Sequence, residues 1–319
     1  MKVIDKMSRI RRQVIPIWLI LGLLVIGSMM TAACSNVAST PSSGSADKTV
    51  EVVAAENFWG SIAAQVGGSH VHVTSIIQDP NADPHSYEPT SQDARTVADA
   101  QYVIYNGAGY DAWMDKLIAA NPVPGRTVLN VGDFFGKKAG DNPHMWYNPD
   151  YVTSIVGKIR DDLKAIDPAD AGAYDQSAQQ YLETGLKQYF GLISDIKAKY
   201  SGTPVGSTES IFAYMAPALG LNIITPYSYM KAVSEGEEIS ATDEATVEQQ
   251  IDQKQIKILV YNSQNTPPNI QILLDKAKAQ GIPIATITET LVPETATFQD
   301  WQSAQLQGIE DALQQATGK

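Results

Sequence analysis

The chain has 319 residues, of which 44% are hydrophobic and 18% charged, enough apolar material for packed cores and, by length, about two domains. Its formal charge of −12 excludes the basic stripes that nucleic-acid binding requires and suits a surface that attracts cations. One cysteine excludes an intrachain disulfide framework.

The first 33 residues read as a leader. "MKVIDKMSRIRR" is a basic stretch, and "VIPIWLILGLLVIGSMMTAA" follows with no charge, as in a secretory signal. An uncleaved membrane anchor is the competing reading, since the apolar run is long enough to span a bilayer. Cys34 comes directly after "TAA", and "TAAC" resembles a lipobox, which implies lipidation of Cys34 and a protein anchored outside the cytoplasm on the bacterial cell membrane. "SNVASTPSSGSADK" then has the composition of a flexible tether over residues 34–48.

From Thr49 the pattern is a strand ("TVEVVAAEN"), a helix ("FWGSIAAQVGG") and a second strand ("VHVTSIIQD"). "TSQDARTVADA" opens a helix with Thr90 or Ser91 as its cap and Asp93 in the first turn. "QYVIYNGAG" and "TVLNVG" are further short strands with helical stretches between them. Strands alternating with helices predict a parallel sheet covered on both faces, in an N-terminal lobe over 49–166.

The alternation then stops. "PDYVTSIVGKIRDDLKAI" and the stretch from Asp167 to Tyr200 keep a helical period, and a helix of that length, about 45 Å at about 1.5 Å per residue, exceeds what one small lobe covers. The expectation is a long rigid helix over 167–200 joining two lobes. Strands and helices resume over 201–319, with "TPVGST", "LNIIT", "IKILVYN" and "IPIATIT" as strands and "ATDEATVEQQIDQKQ" as a helix capped by Thr242. The predicted fold class is α/β: two lobes, each a mostly parallel sheet flanked by helices.

His85, His144, Glu209 and Glu289 each lie where a strand gives way to a loop, the side on which open parallel sheets bind ligands. Two imidazoles and two carboxylates suit a divalent transition metal, although no local metal-binding spacing is present. His70 and His72 alternate onto one strand face and read as a solvated pair. Trp59, Trp146, Tyr87 and Tyr147 are candidates to wall a cleft or simply to pack, and "SEGEEISATDE" reads as a solvated acidic loop or a lid.

"AAENFWGSIAAQVGG", "DPHSYEPTSQDARTVADAQYVIYNGAGYDAWMDKL" and "NPHMWYNP" resemble the metal-specific solute-binding proteins of bacterial ABC importers, the cluster A-I family, over essentially all of the chain after the leader. The resemblance implies a receptor that captures zinc or manganese between two lobes and delivers it to an ABC permease, as a lipid-anchored monomer with no enzymatic activity. It places the first two metal ligands on His85 and His144 and the third on Glu209. The last is usually Asp in the family and falls here on Glu289. Asn262 stands where many relatives have a glutamate and is not counted as a ligand. An exported zinc hydrolase is the alternative, but no HExxH-type helix supplies an open metal position with a base. Two carboxylates lean toward manganese, while the general affinity order favours zinc. Affinity is expected to fall between about pH 7 and 5 as protons compete at the imidazoles, with the carboxylates contributing only below about pH 5.

Overall fold

The computed structural model describes residues 49–319; the leader, the tether and Cys34 lie outside the described residues. The first sheet is built from β1 (Val50–Glu56), β2 (Val71–Ile77), β3 (Tyr102–Tyr105) and β4 (Thr127–Asn130). Their order is β2-β1-β3-β4 and every pairing is parallel. Helices α1 (Asn57–Gly67), α2 (Ser91–Asp99), α3 (Ala112–Ala120) and the single turn α4 (Val131–Phe134) occur along the same stretch. β1 is buried along most of its length and β3 throughout, so both read as continuous apolar runs instead of alternating ones. Thr90 caps α2 in a full capping box with Asp93.

Helix α5 (Pro149–Ile166) begins on Asn148, whose side chain accepts from the backbone N–H groups of Asp150 and Tyr151. A 3₁₀ turn at Pro168–Asp170 then leads into α6 (Ala171–Gln180) and α7 (Lys187–Tyr200). These two helices are separated by a π-helical turn, Tyr181–Gly185, so the run is not one uniform α-helix. The turn has a local cause. A Cβ on Gly185 would stand 2.6 Å from the Tyr181 ring, so the bulge fits only because residue 185 has no side chain.

The second sheet contains β5 (Pro204–Ser207), β6 (Asn222–Ile223), β7 (Leu259–Asn262) and β8 (Ile284–Ile287) in the order β6-β5-β7-β8, again all parallel. Its helices are α8 (Met215–Ala218), α9 (Tyr227–Glu235), α10 (Ala241–Asp252), α11 (Pro268–Ala279) and α12 (Phe298–Thr317). Helix α9 carries no strong sequence signal and was not expected. Its Gly236 cap takes the left-handed conformation, and the acidic run expected as a loop instead spans the end of α9, a short loop over 237–240 and the first turn of α10. α10 is capped by Ser240, two residues before the expected Thr242. The Ser240 side chain accepts from Asp243 N–H, so the earlier hydroxyl is the one that satisfies a free helix donor.

Apolar residues do not divide into one core per sheet. One continuous core runs from Val50 and Phe58 through Ile155 and Tyr189 to Phe298 and Leu313, with a smaller core beside each sheet. No helix among the described residues is long and apolar enough to cross a membrane.

Candidate metal site

His144 follows the Asn142-Pro143 turn and is 1% exposed. Its Nδ1 lies 2.8 Å from Asn142 Oδ1, and the Asn142 Nδ2 donates to Ser210 O at 2.7 Å. The second bond orients the amide so that Oδ1 faces the imidazole, which makes His144 Nδ1 the protonated nitrogen. Nε2 is left with a free lone pair, the form a metal ligand needs. Burial first, and then the neighbouring His85, hold the His144 imidazole well below its usual range, so it is neutral at physiological pH.

Glu209 follows β5, is 1% exposed, and has one oxygen, Oε1, with no hydrogen-bond partner. Its Oε2 accepts from Asn262 Nδ2 at 3.0 Å. Glu289 follows β8; its Oε1 accepts from the same Asn262 Nδ2 at 2.8 Å and its Oε2 from the Tyr110 hydroxyl at 2.9 Å. Desolvation, followed by the charge of Glu289, pushes Glu209 well above the usual carboxylate range. Desolvation also raises Glu289, although His85, Tyr110 and Asn262 pull against it.

His85 is on the exposed lip, in the loop after β2, with its ring edge-on to Tyr110 at 4.7 Å between centroids. It borders two cavities, one of about 320 Å³ shared with Glu289 and one of about 230 Å³ shared with His144. Tyr110 is thus the hub: its ring meets both imidazoles and its hydroxyl meets Glu289. His85, His144 and Glu289 border these cavities, while Glu209 lines neither and is joined to Glu289 through Asn262. Among the described residues no three His, Cys, Asp or Glu side chains are gathered tightly enough to hold an ion as they stand.

A second layer of residues, missed in the sequence, holds this region in place. Asp111 accepts from the backbone N–H groups of Asn106 at 2.6 Å and Gly107 at 2.7 Å. The Asn106 side chain donates to Pro143 O and accepts from Trp59 Nε1, so the turn after β3 fixes the backbone next to His144. Gly107 has φ +71°, and a Cβ there would stand 1.9 Å from Asn130 Oδ1. Glu56 lies wholly buried beside Asp111, and neither of its oxygens accepts from a neighbouring N–H or O–H. A proton on Glu56, donated to Asp111, resolves this; burial and then the Asp111 charge push Glu56 well above the usual range, while Asp111 is pushed up to about 6. The signal that could have found this layer is the polar content of "YNGAGYD" directly after an apolar strand.

Of the remaining candidates, Trp59, Trp146 and Tyr147 pack around the site, with the Trp146 ring edge-on to His144 at 5.2 Å, and the others lie away from it. His72 pairs with Glu51 and His70 with Asp170, both on the surface and outside the cleft. Trp146 stacks on Phe58 at 4.1 Å, the Tyr147 hydroxyl donates to Thr288 O at 2.7 Å, and the Tyr87 hydroxyl donates to Asp93.

Residues 52–312 match the profile of the family described as zinc-uptake complex component A, periplasmic. The chain belongs to this family. Among curated relatives, the metal ABC transporter substrate-binding lipoprotein ScbA of Streptococcus cristatus is 25% identical over 290 residues, spanning 85% of this chain and 86% of its own. The manganese-binding lipoprotein MntA of Bacillus subtilis is 23% identical over 274 residues, with 82% and 86% covered. The fold of the family is also shared with the Mn-bound S38A mutant of a periplasmic metal binding protein from candidatus liberibacter asiaticus, at TM-score 0.71 and 21% identity over 83% of this chain and 100% of that one.

Proposed function

We propose that the chain is a receptor outside the cytoplasm that captures a divalent transition cation, zinc or manganese, between its two sheets and hands it to an ABC permease. The cation is cargo and no chemistry is done on it. The observation that carries this reading is the pairing of Glu209 and Glu289. Two partly desolvated carboxylates share one amide donor, and one of their oxygens has no partner. Such a pair is costly to bury, and a dication placed beside the free lone pair of His144 offsets that cost. His85 on the lip completes the set with a second nitrogen. Residues 49–166 and 201–319 are read as the lobes and 167–200 as their connection. Membership in an uptake-component family supports a receptor and lends nothing to the hydrolase alternative.

His85→Ala and His144→Ala are each expected to weaken zinc and manganese binding by about a hundred-fold or more. Calorimetric titration of each variant is the check. Affinity equal to that of the unaltered protein removes that residue from the site. The apo fold should survive in His85→Ala, because His85 is exposed; His144 is buried against Tyr110 and Trp146, so a circular-dichroism melt of His144→Ala accompanies its titration.

Anchoring is proposed to run through a lipid on Cys34, with the receptor a monomer. Curated relatives carry the description lipoprotein, and "TAAC" has the required cysteine. Cys34→Ala should release the protein from the membrane fraction. Mass spectrometry of the unaltered protein should find a modified N-terminal cysteine; a retained Met1 or a bare thiol overturns this reading.

A further inference from the structure

Both carboxylates of the site are held from a single turn, residues 262–265 after β7. Gln264 N–H donates to Asn262 Oδ1 at 3.0 Å, which fixes the amide so that Nδ2 points at Glu209 and Glu289. Gln264 Oε1 in turn accepts from the backbone N–H groups of Glu289 at 2.7 Å and Thr290 at 3.0 Å. The turn therefore holds the Glu289 main chain with one amide and its side chain with another.

Asn262 engages Glu209 Oε2 and Glu289 Oε1, and it is 1% exposed, so no water competes for its donor. What is left is Glu209 Oε1, which is buried with no hydrogen-bond partner, and Glu289 Oε2, which a cation can take over from the Tyr110 hydroxyl. We propose that Asn262 is a positioning residue that restricts Glu209 and Glu289 to one oxygen each toward the cation, and thereby biases the site toward zinc over manganese. This rests on the receptor reading above. Two nitrogens and two single oxygens make the four-coordinate set that zinc accepts, whereas manganese favours a larger, oxygen-rich shell that bidentate carboxylates would supply.

Zinc binds tighter than manganese at most such sites, so the test is a change in the ratio of the two affinities. Competition titrations with both ions should be run on the unaltered protein and on Asn262→Ser and Asn262→Ala. Removing the amide is expected to narrow the zinc-to-manganese preference by about ten-fold or more, mainly by strengthening manganese. X-ray absorption on the zinc-loaded, unaltered protein should show four light-atom neighbours at about 2.0–2.2 Å, and more neighbours in the variants. Tight binding with an unchanged ratio in a folded variant overturns the proposal alone. So does a bidentate carboxylate on zinc in the unaltered protein, a measurement that stands even if both variants misfold. Binding of neither ion by the unaltered protein overturns the receptor reading and the proposal with it.

Discussion

Zinc or manganese at about a thousand-fold excess over Kd should raise the melting temperature by about 10 °C at pH near 8 and hardly at all near pH 5. A ligand that binds only the folded state stabilises it by about 4 kcal/mol at that excess. Metal ligands must be deprotonated, so protons compete for the site. His144 competes little, because burial keeps it neutral. Glu209 and Glu289 compete more than ordinary carboxylates, because desolvation raises both. The loss of metal binding therefore begins at higher pH than two free carboxylates would give.

Without metal the pH dependence runs the other way. Glu56, Glu209 and Glu289 have folded-state values above the ordinary 4.5. A raised value means the folded state holds protons the unfolded chain has released, so their contribution is full below about 4.5 and is lost as pH rises through the folded values. His144 is lowered, so its contribution is present above the ordinary 6.5 and is lost as pH falls toward its folded value. Above about pH 6.5 the carboxylates alone set the trend, and the apo protein should lose stability as the metal-bound protein gains it. Calorimetric scans across pH with and without metal are the check. A metal-induced shift of equal size at both pH values removes the carboxylates from the site, and an equal response to calcium, which prefers all-oxygen sites, removes the histidines.

Glu209→Gln should stabilise the apo protein and abolish its function. The substitution keeps the shape of a side chain that is 1% exposed but removes a carboxylate that burial and Glu289 both disfavour in its charged form. The melting temperature without metal should rise by a few degrees. Zinc and manganese affinity should fall by about a hundred-fold or more, because the oxygen that has no partner becomes part of a neutral amide. A variant that is less stable, or that still binds tightly, contradicts the assignment of Glu209.

The parallel sheets were legible in the sequence because a strand buried on both faces is written as an apolar run without alternation, as in the "VVAA" of β1 and "YVIY". Thr90 was legible because its capping box is local. The π turn was not, since it depends on where the Tyr181 ring settles against Gly185. In the candidate site rarity and position after strands drew attention to the four proposed ligands, but it was the resemblance carried by "DPHSYEPT" and "NPHMW" that assigned them. Their supports could not be picked out. Asn142, Asn262 and Gln264 are ordinary amides in loops, and only tertiary contact makes them buried and oriented. The same holds for the sequence-based pH expectation: burial, which no local pattern encodes, moves the competition for protons from His144 to the glutamates.

The C-terminal segment is stitched to α1, the first helix of the described residues. Leu291 N–H donates to Asn57 Oδ1 and Phe298 N–H to Ser61 Oγ, across 234 and 237 residues. α12 also packs along α7, and Phe298 meets the Tyr189 ring. A polypeptide emerges N-terminus first, from the ribosome or across a membrane, so Asn57 and Ser61 precede these partners by 234 and 237 residues. Through that interval the apolar face of α1 can already pack on β1, β2, α5 and α6, while the two side-chain acceptors have only water or non-native donors. The part of the continuous core that Phe298, Trp301, Ile309 and Leu313 supply therefore closes last, over a first lobe whose own packing is already in place.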